Sequence, residues 1–72
     1  MASKYRVKYQ KLIERLRQAR LEAGLTQVEA GKKLKKPQAY LSKIERGERR
    51  IDAVELEELA RVYSKNINYF VK

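Results

Sequence analysis

Residues 25–47 constrain the fold most, because they carry start and stop signals for two short helices with almost no chain between them. Thr26 followed three residues later by Glu29 is the pattern of a capping box at a helix start. The helix that this box starts, helix 2, is predicted to run to about residue 34. Helix 3 is predicted over residues 37–46, since its first residue is proline, which suits that position, and Gly47 can end it in a left-handed conformation. The segment therefore predicts two helices joined by a tight turn.

Three further helices are predicted around this pair, and no segment shows the alternation of apolar and polar residues that strands require. Helix 1 over residues 5–23 repeats apolar residues at helical spacing. Helix 4 begins with a second capping box, formed by Asp52 and Glu55, and Asn66 can cap a short helix 5 that carries Ile67. The expected buried residues are Tyr9, Leu12, Ile13, Leu16, Ala19, Tyr40, Leu41, Ile44, Leu56, Leu59, Ala60, Tyr63 and Phe70.

The charge of the chain points to a class of partner. Eighteen Lys and Arg against nine Asp and Glu give a net charge of +9 on 72 residues. Residues 1–24 carry seven bases and two acids, residues 25–50 eight and three, and residues 51–72 three and four. A positive field of this strength attracts polyanions, of which nucleic acid is the usual one. The segregation favours a nucleic-acid surface on the first two thirds, with a generally basic surface as the alternative.

The residue types that most enzymes and metal sites need are absent from the sequence. There is no Cys and no His, which removes the commonest thiol nucleophile, general base and metal ligand. The three glycines lie apart and form no phosphate-binding loop. No apolar run is long enough for a membrane span or a signal peptide. We therefore predict a cytoplasmic protein that is not an enzyme and has no metal, no cofactor and no membrane partner.

Two spaced stretches carry a recognisable motif: residues 24–27 read Gly-Leu-Thr-Gln, and residues 41–47 read Leu-Ser-Lys-Ile-Glu-Arg-Gly. They resemble the opening and the close of the motif in the phage repressor and Cro-like (XRE-type) helix-turn-helix family, and a weaker match extends over residues 9–71. The resemblance implies one compact five-helix domain over residues 1–72, with the motif at residues 26–46. It also implies a sequence-specific, double-stranded DNA-binding transcriptional regulator of bacterial, archaeal or phage origin.

The resemblance further implies which residues face DNA. Base edges in the major groove would be read from helix 3 by Gln38, Ala39 and Lys43. Phosphates would be contacted by Gln27, Lys35, Lys36, Ser42, Arg46, Arg49 and Arg50. Ordinary solvated helix surface is the alternative for Gln38 and Lys43. Arg20 and Glu45 would form a partly buried ion pair that sets the angle of helix 3, with two independent surface charges as the alternative.

Three positions depart from the usual pattern of that family. Lys35 stands in the turn where glycine is usual, and a positive φ there would cost a lysine roughly 1 kcal/mol. Ala30 stands where leucine is usual, so the core lacks volume there unless Tyr40 or Tyr63 fills it. Gly31 allows close helix approach but costs about 1 kcal/mol within a helix. We therefore expect helix 2 to be the least stable part of the motif.

Assembly is expected to be dimeric, because one recognition helix contacts too few base pairs to specify a site in a genome. Two-fold pairing would match a palindromic DNA site, and the homodimer would be weak or formed on DNA. The candidate dimer contacts are Val62, Tyr69 and Val71. Two alternatives remain open: an antitoxin-type or other protein-interaction module, and the N-terminal DNA-binding module of a longer regulator.

Overall fold

Five helices follow one another in residues 4–71, the part of the chain that the computed structural model describes. They are α1 (Lys4–Glu22), α2 (Gln27–Leu34), α3 (Gln38–Glu45), α4 (Ala53–Val62) and α5 (Asn68–Val71). The described residues contain no strand, and none of their helices is long and apolar enough to cross a bilayer. The expected all-α class with five helices is confirmed. The ends of the predicted domain, residues 1–3 and 72, lie outside the described residues.

Both predicted capping boxes are present. At the start of α2, Thr26 Oγ1 accepts a hydrogen bond from the Glu29 N–H (3.1 Å), and the Thr26 N–H donates to Glu29 Oε1 (2.9 Å). At the start of α4, Asp52 and Glu55 make the same reciprocal pair at 2.7 and 3.1 Å. Each box satisfies backbone donors that a helix start otherwise leaves without a partner, and so fixes where these two helices begin.

The predicted bounds of α3 were wrong by one residue at each end. Pro37 is the N-cap rather than the first helical residue, with an extended ψ of 161°. Its carbonyl accepts the N–H of Tyr40 at 3.1 Å. Because the fixed φ of proline suits both positions, the sequence pattern cannot separate them. At the other end Arg46 is the C-cap, and Gly47, with φ of 76°, donates its N–H to the carbonyl of Ile44.

The predicted ends of the other helices shift by a similar amount. α1 spans Lys4–Glu22, and α4 ends before Tyr63, which is its C-cap. Asn66 Oδ1 accepts the Asn68 N–H at 2.9 Å, so α5 begins at Asn68 and Ile67 precedes it. Ile67 was therefore wrongly assigned to helix 5, which starts one residue later than expected.

One apolar core lies between the helices, and it contains residues from all five. Its buried members are Leu16, Ala19, Ala30, Tyr40, Leu41, Ile44, Leu56, Leu59, Ala60, Tyr63 and Phe70. Ala30, at the position where the sequence comparison led us to expect a lack of volume, lies in the same buried cluster as Tyr40 and Tyr63. Burying a leucine or phenylalanine side chain stabilises a fold by about 1.5–3 kcal/mol. This core therefore holds α3 by one face and leaves its other face in solvent.

Candidate nucleic-acid interface

α3 turns one face to the core and the other to solvent. Leu41 and Ile44 are each 1% exposed and anchor the helix. The three residues predicted to read bases are all exposed: Gln38, Ala39 and Lys43. Ala39 and Lys43 lie one helical turn apart, so their side chains are neighbours on the helix surface. The helix therefore has the division of faces that insertion into a groove requires.

The turn between α2 and α3 is tight because Lys36 and Pro37 lie close to Gly31 of α2. Lys35 has φ of 59° and ψ of 42°, the left-handed conformation expected at this position. The Lys36 N–H donates to the carbonyl of Gly31 at 2.8 Å. A Cβ added to Gly31 would lie 2.7 Å from the Lys36 carbonyl oxygen, so only glycine fits without a backbone shift. Both lysine side chains are exposed at the surface of this turn.

Arg20 on α1 and Glu45 at the end of α3 form a buried ion pair with two hydrogen bonds. Arg20 Nε donates to Glu45 Oε2 at 2.7 Å, and Nη2 donates to Oε1 at 3.0 Å. The two side chains are only 9% and 6% exposed. Arg20 Nη1 also donates to the Leu25 carbonyl, at 2.8 Å. The hydrogen bond that Arg20 donates to Glu45 raises the pKa of Arg20 despite burial. This planar, two-point contact fixes the orientation of α3 against α1.

A chain of two glutamines links the buried ion pair to the exposed start of α3. Gln27 Nε2 donates to Glu45 Oε1 at 3.1 Å, and Gln38 Nε2 donates to Gln27 Oε1 at 3.3 Å. The second bond uses one of the two N–H groups of Gln38. A bidentate contact to adenine needs one donor and one acceptor, and the Gln38 amide has a second N–H and a carbonyl oxygen. The network therefore orients Gln38 without using all of its hydrogen-bonding groups.

A second polar cluster joins α3 to α4 and was not predicted from the sequence. The Tyr40 hydroxyl donates to Glu55 Oε2 (3.2 Å), and Arg49 Nη2 pairs with the same oxygen (3.0 Å). The Arg49 guanidinium also lies 4.7 Å from the centre of the Tyr40 ring, a cation–π distance. Burial, and next the negative charge of Glu55, raises the pKa of Tyr40 to about 12. The hydrogen bond from Arg49 lowers the pKa of Glu55. The capping box identified Glu55, but nothing in the pattern indicated its other partners.

The predicted phosphate-contacting residues differ in how they are held. Arg46 donates to Ser42 Oγ at 2.8 Å and pairs with Glu48 at 3.1 Å. Both partners of that pair are 57% exposed, and exposed pairs stabilise little, so phosphate can replace the carboxylate at small cost. The Arg50 guanidinium lies 5.0 Å from the Tyr9 ring centre. Five of the predicted phosphate-contacting cations flank α3 along the chain: Lys35 and Lys36 precede it, and Arg46, Arg49 and Arg50 follow it.

The candidate dimer contacts are unequally accessible. Val62 and Tyr69 are partly buried and pack against the core, whereas Val71 is 61% exposed. The Tyr69 ring meets Phe70 edge-on at 5.0 Å, and Lys65 Nζ lies 4.6 Å from its centre. Tyr69 therefore has less surface to offer a second copy than its sequence position indicated.

The chemistry of the interface is that of hydrogen bonding and charge. Across the described residues no group of three or more acidic, Cys or His side chains could hold a metal ion. The available groups are amides, hydroxyls, a methyl group and cations, which suit base edges and phosphate oxygens.

A family model described as Helix-turn-helix matches residues 16–70, which is well over half of the chain. No curated protein matches the chain. The matched segment contains α2, α3 and all the residues predicted to contact DNA.

Proposed function

The chain belongs to the helix-turn-helix family of DNA-binding transcription regulators, and on that premise we propose that it binds double-stranded DNA sequence-specifically, with α3 in the major groove. The observation that carries the proposal is the exposed row of Gln38, Ala39 and Lys43 on a helix whose opposite face is buried. The Arg20–Glu45 pair supports it further, because a helix must hold a fixed angle to align its side chains with base edges.

Each base-reading side chain has a preferred target in this proposal. Gln38 pairs with the N6 and N7 edge of adenine, and Lys43 donates to O6 or N7 of guanine. Ala39 contacts the methyl group of thymine. The cations that flank α3 along the chain set the register by binding phosphates.

Selection of binding sites from a random duplex pool tests this proposal directly. We expect one enriched sequence motif, with affinity that falls as salt rises because bound lysines and arginines release counterions from phosphates. A pool with no enriched motif, or an affinity for DNA that does not change with salt, would contradict it.

We also propose that two copies act together on a palindromic site. The proposed contacts are Val62, Tyr69 and Val71, and two-fold pairing would set the α3 helices about 34–36 Å apart. Because Val71 is the one exposed member of the three, the contact is small and pairing is weak until DNA holds the copies side by side. Sedimentation of the protein with and without a palindromic duplex tests this: two copies per duplex are expected, and a strict one-to-one complex would exclude it.

A further inference from the structure

A groove of about 450 Å³ lies between α1 and α5, away from the base-reading residues. Its apolar lining includes Leu12, Phe70 and the exposed Val71. The family match begins at residue 16, so the α1 residues that line the groove precede the matched segment. The matched segment therefore covers only part of the groove lining, since it includes Arg50 and Phe70 but not the α1 residues or Val71.

A row of cations follows one edge of the groove. Lys8, Lys11 and Arg15 are spaced by three and four residues, which places them on one side of α1 over about 10 Å. Arg50, from the loop before α4, adds a further positive charge to the lining. Within the described part of the chain, no acidic side chain pairs with Lys8 or Lys11. The groove therefore combines an apolar floor with a rim of positive charge.

This combination selects among the molecules that could lie in the groove. An apolar floor offers neither a hydrogen-bond donor nor a positive charge to a phosphate backbone. One small carboxylate cannot contact all the cations, because they are spread over about 10 Å. A second copy seated symmetrically would bring these cations against their own counterparts, which is repulsive. A helix with apolar residues on one side and several carboxylates beside them matches both the floor and the rim.

We propose that the groove between α1 and α5 binds an acidic amphipathic helix of another protein. Leucine-like side chains of the partner occupy the floor at Leu12 and Phe70, and its Asp and Glu side chains pair with Lys8 and Lys11. Arg50 is also among the residues proposed to contact phosphate, and Val71 is among the proposed dimer contacts, so a bound partner competes with DNA for Arg50 and with a second copy for Val71. That competition rests on the proposed function, whereas the groove contact itself does not.

Fluorescence anisotropy with the full chain tests the contact. The probe is a fluorescein-labelled synthetic helix of about four turns, with leucine on one face and glutamate on its flanks. We expect the anisotropy of the probe to rise to a plateau as the protein is added. Lys8→Glu combined with Lys11→Glu should weaken binding at least about tenfold, because opposite charges at the rim become like charges. Val71→Asp should also weaken it, since it places a charge beside the apolar floor.

Matched controls separate the proposal from general attraction of acids to a basic protein. Lys32→Glu with Lys33→Glu makes the same change in net charge at exposed positions on α2 and should weaken binding less than about threefold. A probe of the same composition in shuffled order should not bind. Equal losses of affinity in the two double variants would overturn the proposal, and so would binding of the shuffled probe. Binding of decanoate, which has an apolar chain and a single carboxylate, without binding of the helix would also overturn it. Displacement of a selected DNA duplex by the probe is measured separately, so a protein that failed to bind DNA would leave the groove result intact.

Discussion

Lys35 combines a strained backbone with a side chain that we propose contacts a DNA phosphate. Its φ of 59° is a conformation that glycine adopts at little cost and lysine does not. Its side chain is exposed in the turn that leads into α3. The same residue can therefore weaken the fold and strengthen binding.

Lys35→Gly should accordingly raise the free energy of unfolding by roughly 1 kcal/mol while lowering the affinity for DNA. Urea unfolding and titration of a selected duplex measure the two effects. Ser64→Gly is the matched control, because Ser64 also has a positive φ (56°) but lies after α4. It should stabilise the protein similarly and leave DNA affinity unchanged. An unchanged affinity of Lys35→Gly for DNA would show that Lys35 is not a phosphate contact.

Lys43→Ala should cost about 1–3 kcal/mol of binding to the preferred site and relax the preference at one base position. Arg46→Ala is the comparison, since its proposed contact is with phosphate and should affect all sequences alike. Competition titrations against duplexes changed at each position measure both. A uniform loss in the two variants would mean that α3 does not read bases through Lys43.

The orientation of α3 depends on the ion pair between Arg20 on α1 and Glu45 on α3, two residues that are far apart in the sequence. Arg20→Met should lower the free energy of unfolding by ~3–5 kcal/mol, because it leaves the buried Glu45 carboxylate without its cation. Lys65→Met breaks the Lys65–Glu22 pair, whose side chains are 27% and 46% exposed, and should cost at most about 1 kcal/mol. Chemical denaturation of both variants distinguishes the two kinds of pair. Similar costs would show that the buried pair has no special role in holding α3.

Individual helices differ in how much of their structure could be predicted. The two capping boxes fixed the starts of α2 and α4, because the hydrogen bonds involved are local and their spacing is visible in the sequence. The start of α3 was predicted one residue too early, at Pro37, because the restricted φ of proline is compatible with both the N-cap and the first helical residue. Family resemblance supplied the residues assigned to DNA contact, and those assignments remain predictions.

Side-chain contacts between different helices could not be predicted from the spacing of residues in the sequence alone. Gln27 and Gln38 are neighbours only because α2 and α3 pack closely at Gly31. Tyr40 on α3 donates a hydrogen bond to Glu55 on α4, and no periodicity or motif in the sequence predicts that contact. Such pairs depend on the packing angle, which the sequence of one helix does not contain.

The size of the whole molecule is compatible with the paired arrangement proposed above. Its principal extents are 36 × 24 × 20 Å. The two shorter extents are smaller than the spacing of about 34–36 Å between successive major-groove half-sites. Two copies can therefore lie side by side on one face of DNA without overlapping.

The folded chain as a whole should lose stability at alkaline pH. Burial raises the pKa of Tyr40 to about 12 and raises that of Tyr63 as well. In the unfolded chain a phenol ionises near pH 10. Below that pH the phenols are neutral in both states. Above it the unfolded state loses protons first, so the free energy of unfolding falls as pH rises from about 10 through the folded pKa values.

Urea unfolding at intervals between about pH 8 and pH 11 measures this effect. Tyr63→Phe should make the decline shallower, because one of the two phenols is removed. Its stability at neutral pH should be at least that of the original chain, since the Tyr63 hydroxyl is buried and has no hydrogen-bond partner among the described residues. An equally steep decline in the variant would show that Tyr63 does not contribute.

The glutamine chain also bears on how such a protein can acquire a new DNA target through mutation. Replacing Gln38 disturbs Gln27 and, through it, the buried Glu45, so the effect of each substitution depends on the other two residues. Lys43 has no side-chain hydrogen bond or ion pair among the described residues, and Ala39 has only a methyl group. Divergence in sequence preference should therefore begin at positions 39 and 43, where single changes are tolerated independently. Position 38 should change later, and together with position 27.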